Sequence, residues 1–354
     1  MSFEIKRSFF AAANTGDGFK SFFEETFFAP TIERRYIIKG GPGTGKSSLL
    51  KRIALHAEDK GNDVEYYYCS SDTRSLDGIV LNGSVAFFDG TAPHSYDTVL
   101  PGACDEIIDL GRFWSGDRLR AHKREISVLN NEKKQAYAGA YTYLAAAREL
   151  GINIAAIRQR TQHKEKLVAT ARRIYERLEL AKNTGACVTR QVSAIGAYGE
   201  SHLDTLMNMA SKRYLIRDCY GVGRELLANV LSAARSDGVA CYVSYELINS
   251  EYPQELYFPD VGVWIGISDT EDGELTKADS VINTRRFIDM ELLASSRREY
   301  RAAARTIEAC IALACERLRE AGRIHAELES IYISSMDFEA QSDFCTHFIN
   351  RMGL

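Results

Sequence analysis

The apolar residues of this chain recur at two spacings. Short, largely apolar runs, Tyr36-Ile37-Ile38, Val64–Tyr68 and Val85–Phe88, read as buried strands. Between the first two, Leu49, Leu50, Ile53 and Ala57 share one stripe of a predicted helix over 47–60, which Gly61 stops. Farther on, residues 117–148 and 152–183 carry apolar positions at helical spacing among many Lys, Arg and Glu. They predict two helices joined at Gly151 and folded as an antiparallel hairpin on their own sheet or on its twin. Residues 287–330 predict the counterpart of that segment. Strands alternating with helices in this way predict an α/β fold built on parallel sheets.

The pattern also repeats. When YIIKGGPGTGKSSLLKRI (36–53) is set above YLIRDCYGVGRELLANVL (214–231), Tyr36 falls on Tyr214, Gly43 on Gly221 and Gly45 on Gly223. Farther on, IDLGRF (108–113) falls on INTRRF (282–287), and VAFFDG (85–90) on VGVWIG (261–266). Arg7–Gly16 and Arg190–Gly199 make a weaker pair. The expected architecture is a tandem duplication, two P-loop NTPase-like parallel-sheet domains over 1–185 and 186–354, each with a long helical hairpin.

The repeat centres on a stretch that carries chemistry. Gly40-x-x-x-x-Gly45-Lys46-Ser47 follows a predicted strand and opens a predicted helix, the context in which such a loop holds phosphate. Its glycines let successive backbone N–H groups face one anion, and the helix N-terminus adds partial positive charge. Gly40, Gly41, Pro42, Gly43, Thr44, Gly45, Lys46, Ser47 and Ser48 are therefore the candidate nucleotide-binding residues. Lys46 would reach the β- and γ-phosphates, and the Ser47 hydroxyl would ligate Mg²⁺. Asp89 closes an apolar strand in the Walker B manner and is the second candidate metal ligand. No glutamate follows it, so a water-activating group must come from elsewhere. Asp72, Asp77 and His94 stand where strand ends face ligands in open α/β sheets and are the candidates. In the second copy Asp218 replaces Gly40, Arg224 replaces Lys46 and Glu225 replaces Ser47. Carboxylates at the loop entrance and at the metal position would repel a triphosphate, so this half is expected not to hydrolyse nucleotide.

Composition narrows the partners. The chain of 354 residues has 44 Lys and Arg against 48 Asp and Glu, a net charge of −4. That balance gives no electrostatic reason to expect nucleic acid or anionic lipid as a partner. The basic residues of the helical segments, Lys133, Lys134 and Arg158 among them, alternate with glutamates and read as solvated faces, and Tyr137 and Tyr141 read as packing. Apolar runs such as Phe9–Ala13 fall far short of the ~20 residues a membrane span needs, and MSFEIKRSFF lacks a secretory core. Eight cysteines, none in a Cys-x-x-Cys pair, read as reduced thiols of a cytoplasmic protein rather than as a zinc site.

Together, KGGPGTGKSSLL (39–50), CSSDTRSLDGIV (69–80), VAFFDGTAPH (85–94) and PGACDEIIDLGRFW (101–114) resemble an uncharacterised bacterial family of tandem P-loop ATPases. The resemblance implies ATP binding in a P-loop NTPase fold of two related halves. It makes Gly40–Ser47 the nucleotide loop and 69–78 and 89–94 signature segments, and it implies no particular substrate. The chain departs from the family pattern at Asp218, Arg224 and Glu225, where a second P-loop would stand. The expected function is Mg²⁺-dependent ATP hydrolysis in the first half, coupled to a conformational change against the second half or a partner. The alternatives are a small-molecule or nucleotide kinase with an unspecified acceptor, and a non-hydrolysing ATP-dependent switch that binds a protein. The absence of an Asn-Lys-x-Asp run favours adenine over guanine.

Overall fold

The computed structural model describes residues 7–92, 95–268 and 278–352. It contains two α/β units, each built on a six-stranded, mostly parallel sheet. The first unit runs β1 (Arg7–Phe10), the hairpin β2 (Ala12–Thr15) and β3 (Gly18–Ser21), α1 (Phe23–Phe27), β4 (Arg34–Lys39), α2 (Lys46–Asp59), β5 (Val64–Tyr68), β6 (Leu76–Leu81), β7 (Val85–Asp89) and β8 (Asp105–Asp109). After α3 (Gly116–Ala121) come α4 (Lys123–Thr161) and α5 (Lys164–Arg177). The second unit repeats the series as β9 (Cys187–Thr189), β10 (Ser193–Gly196), β11 (Gly199–His202), α6 (Thr205–Met209), β12 (Lys212–Arg217), α7 (Val222–Ser236), β13 (Cys241–Tyr245), β14 (Pro253–Phe258), β15 (Val263–Ser268) and β16 (Ser280–Asn283). It ends in α8 (Met290–Ile333) and α9 (Phe338–Arg351).

Strand order is β1-β5-β6-β7-β4-β8 in one sheet and β9-β13-β14-β15-β12-β16 in the other, the same topology twice. Within these two sheets, among the described residues, only β6 and β14 run against their neighbours. The connection from β5 to β6 is too short for the crossover that a parallel pair would need. Residues 76–81 read from sequence as part of a turn region, yet LDGIVL is a strand buried along its whole length. The Asp77-Gly78 pair mimics turn chemistry, while the apolar residues around it fill the core. The repeat extends to detail. Both sheets carry an irregularity at the same place, between Tyr67 and Tyr68 and between Ser244 and Tyr245. Asp109 accepts a hydrogen bond from the Gly111 N–H at 2.8 Å, and Asn283 accepts one from Arg285 N–H at 2.9 Å.

Register corrects one pairing made from sequence. Ile38 lies beside Asp89, and the matching Ile216 lies beside Ile267. The segment equivalent to VAFFDG is therefore VWIGIS (263–268), not VGVWIG, and an isoleucine stands at the Asp89 position.

The helical segments depart further from expectation. No break occurs at Gly151. α4 runs unbroken to Thr161, because Leu144, Ala147, Ile154 and Ile157 bury one continuous stripe and a single half-buried glycine costs only about 1 kcal/mol. Nor does each half form its own hairpin. α4 lies antiparallel to α8 of the other half, with Ala140 and Leu144 against Ala314, Cys315 and Leu318, and with Leu129 and Ala136 against Ala321, Ile324 and Leu328. The following helices then exchange places. α5 buries Leu167 and Ala171 against Leu226, Leu227 and Val230 of α7, and α9 buries Cys345, Phe348 and Ile349 against Leu49, Leu50 and Ile53 of α2. A further core is shared by the units, with Phe9, Phe23, Phe27 and Phe88 packed among Val192, Leu206, Leu215 and Trp264. Among the described residues, no helix is long and apolar enough to cross a membrane.

Candidate functional site

β4 ends at Lys39, and the chain turns through Gly40–Gly45 into α2. Gly43 and Gly45 have φ of 67° and 83°, a left-handed conformation that glycine adopts without strain, and Gly45 caps the helix. Thr44 Oγ1 donates to Gly41 O at 2.9 Å and tightens the turn. Lys46 Nζ folds back over the loop and donates to Gly40 O (3.0 Å) and Gly41 O (2.8 Å) while lying 3.6 Å from Asp89 Oδ2. No described residue supplies an acceptor to the backbone N–H groups of Gly43 through Ser48. Those of Gly45 through Ser48 are the orphan donors of a helix N-terminus, and those of Gly43 and Thr44 belong to the loop before it.

β7 delivers Asp89 beside the loop. Its Oδ1 is held by the N–H and hydroxyl of Thr91, which leaves Oδ2 toward Lys46. Ser47 Oγ accepts from the Leu76 N–H at 2.9 Å and so ties α2 to the start of β6. One residue beyond the Gly78–Phe88 pair, Asp77 stands across the ladder from Asp89. Burial, reinforced by the Asp89 charge, pushes the Asp77 carboxyl up to about 7. Burial also raises the neighbouring Cys69 thiol well above its ordinary range. Among the described residues no three His, Cys, Asp or Glu side chains gather as in a metal site held by protein alone. Ser47 and Asp89 are the residues that could hold a magnesium ion, as one or two protein ligands that would leave the remaining positions to phosphate oxygens and water.

The other candidates are placed differently. Asp72 is half-exposed and bonded to its own neighbour, with Arg74 Nε 3.0 Å away. Burial raises its carboxyl, but the hydrogen bonds and charge of Arg74 outweigh that and hold it below its ordinary value. His94 lies outside the described residues, as does Pro93.

The far wall of the site comes from the helix pair. A side chain at Gly41 would lie 2.7 Å from the Tyr332 ring, and one at Gly43 would lie 2.8 Å from Ile333 Cγ1 and 3.1 Å from Glu329 O. The last turns of α8, from the second half of the chain, thus rest on the loop of the first. Gln341 of α9 lies against Gly45. Farther along, Lys133 Nζ of α4 is 3.5 Å from His325 Nδ1 of α8, and His325 Nε2 is 3.7 Å from Glu329. One turn on, the Tyr137 hydroxyl donates to Ser71 Oγ at 3.2 Å. Lys133, read from sequence as part of a solvated face, is half-buried here. Burial lowers its ammonium below its ordinary value, and the Lys46 charge adds to the shift. Burial likewise lowers His325, with Lys133 as the next cause. Nothing in local spacing separates Lys133 from the exposed Lys134. Only the antiparallel packing of α4 on α8 brings it here.

The loop of the second unit has the same outline and a different filling. Tyr220 and Gly221 take the left-handed conformation (φ 63° and 77°), and Gly221 caps α7. Gly221 therefore plays the part of Gly45, Val222 and Gly223 stand where Lys46 and Ser47 stand in the first unit, and the pairings of Gly45 with Gly223, Lys46 with Arg224 and Ser47 with Glu225 made from sequence are out of step. The Asp218 carboxylate turns into the loop and accepts from Gly223 N–H at 2.7 Å. Cys219 N–H donates to Thr284 Oγ1 at 2.7 Å. Glu225 accepts from Arg158 Nε (2.9 Å) and Gln162 Nε2 (2.6 Å), and Arg224 pairs with Glu246 at 3.0 Å. Arg158 is itself buried and fills the space beside Gly221. Comparison of the chain with protein-family models, with curated proteins and with solved structures gave no match.

Proposed function

We propose that this chain is a tandem P-loop ATPase with one working site, which binds Mg²⁺–ATP at Gly40–Ser48 and hydrolyses it. The observation that carries this reading is the set of backbone N–H donors from Gly43 to Ser48 that have no acceptor among the described residues, with Lys46 folded over them. Six such donors along the loop and the helix N-terminus suit a phosphate tail, and Lys46 could exchange its two loop carbonyls for phosphate oxygens. Ser47 and Asp89 would hold the magnesium ion, which neutralises charge as it develops on the transferred phosphoryl group. Asp77, whose carboxyl is pushed up to about 7 by burial and the Asp89 charge, is the candidate to take a proton from a water lined up behind that phosphoryl. Because Tyr332 and Ile333 rest on Gly41 and Gly43, any rearrangement of the loop is felt at the end of α8 and through it along the helix pair. That contact supports the coupling of hydrolysis to movement between the halves.

The test is phosphate release from Mg²⁺–ATP by the full chain with no acceptor added. Steady release that is lost in Lys46→Ala supports hydrolysis. Release that needs an added hydroxyl compound would assign the chain to the kinases, and binding without turnover would make it a switch.

A further inference from the structure

The helix pair places a group of charges over the glycine loop that packing alone does not require. Lys133 and His325 come from different halves of the chain and meet at 3.5 Å. His325 lies 3.7 Å from Glu329, whose backbone carbonyl is the atom that a Gly43 side chain would touch at 3.1 Å. Tyr137, one turn from Lys133 on the same helix, is bonded to Ser71 just past the end of β5, so this face of α4 looks down on the strand ends. Lys133 and His325 both feel the charge of Lys46. The acidic groups facing them are Glu329 and, for His325, Asp72. Lys46 has the Asp89 carboxylate at 3.6 Å and His325 has Glu329 at 3.7 Å, and Lys133 adds a second half-buried ammonium group whose charge a bound polyanion would complete.

We propose that Lys133 contacts the terminal phosphate of the bound nucleotide from the side opposite Lys46, and that His325 is its positioning residue. The proposal rests on the nucleotide reading above. It adds that the site is assembled from both halves of the chain, with Lys133 reporting the γ-phosphate to the α4–α8 pair. A diphosphate would keep the glycine loop and Lys46 and leave Lys133 without its anion.

The full chain is titrated calorimetrically with Mg²⁺–ADP and with Mg²⁺ and a β,γ-imido ATP analogue, and phosphate release is measured in parallel. In Lys133→Met the expected result is unchanged ADP affinity, about tenfold weaker analogue binding and a fall in kcat on the order of 100-fold, as for other groups that meet charge developing on a phosphoryl. Lys133→Arg restores part of both, and Lys134→Met changes neither. His325→Ala lowers kcat without moving ADP affinity, and His325→Asn recovers part of it. Should Lys133→Met fold poorly, Lys133→Gln takes its place. An analogue-to-ADP affinity ratio in Lys133→Met equal to that of the unaltered chain overturns the proposal and leaves the nucleotide reading standing. An unaltered chain that binds neither ligand removes both.

Discussion

The two loops that open α2 and α7 differ less in shape than in what fills them. Both follow a central strand, both turn through left-handed residues, and both end on a glycine that caps a helix. In the first, donors outnumber acceptors. In the second, Asp218 supplies an internal carboxylate to the turn, and Arg158 with Gln162 closes over Glu225. A cradle that holds its own anion has no further use for a phosphate. The same strand, turn and helix are thus filled differently by four side chains, Asp218, Glu225, Arg158 and Gln162, and by a loop shortened from six residues (Gly40–Gly45) to four (Asp218–Gly221).

Several substitutions sharpen this contrast. The largest effect is expected from Lys46→Ala, which should weaken nucleotide binding on the order of 100-fold or more by calorimetry. Asp89→Asn should cut turnover about 100-fold while leaving binding of metal-free nucleotide intact, read from a magnesium titration of phosphate release. Phe348→Ala should destabilise the protein by about 3 kcal/mol in urea unfolding, because Phe348 crosses from the second half of the chain into the core behind the first loop. No loss of stability there would mean that the helix exchange contributes nothing.

Asp77 makes a prediction about pH. Its folded pKa of about 7 lies above the ordinary carboxylate value, so the folded state holds a proton that the unfolded chain has already released. The Asp77 contribution to stability should therefore fall as pH rises from about 4 to about 7 and level off above that. Asp77→Asn removes this slope. It should match wild type in urea at pH 4 and exceed it by a few kcal/mol at pH 8. Equal midpoints at pH 8 would show that Asp77 is not held protonated. The smallest effect is expected from Arg224→Ala, with nucleotide affinity unchanged within about twofold and about 1 kcal/mol of stability lost with its Glu246 partner.

What could be read from sequence, and what could not, follows from where the information lies. Strand, glycine turn and helix at 36–59 are contiguous, so local residue types specify them, and the duplication was visible because the same local signals recur. The strand at Leu76–Leu81 escaped because Asp77-Gly78 satisfies turn chemistry and strand burial equally well. The helix exchange was invisible for a related reason. The apolar stripe of α5 or α9 packs on either α2 or α7, and only the length and straightness of α4 and α8 carry each across to the other unit. Of the candidate site, Asp89 lies 3.6 Å from Lys46, the Ser47 hydroxyl is held by the Leu76 N–H, and Asp72 turns to Arg74. Lys133 and His325 were not readable, because their proximity is created by two helices from opposite halves.

The central claim is that one loop is open to a triphosphate and its twin is closed by its own carboxylate. Calorimetric titration of the full chain with Mg²⁺ and a non-hydrolysable ATP analogue tests it most directly. A single site per chain is expected, lost in Lys46→Ala and untouched by Arg224→Ala. Two sites per chain, or binding that survives Lys46→Ala, would contradict it.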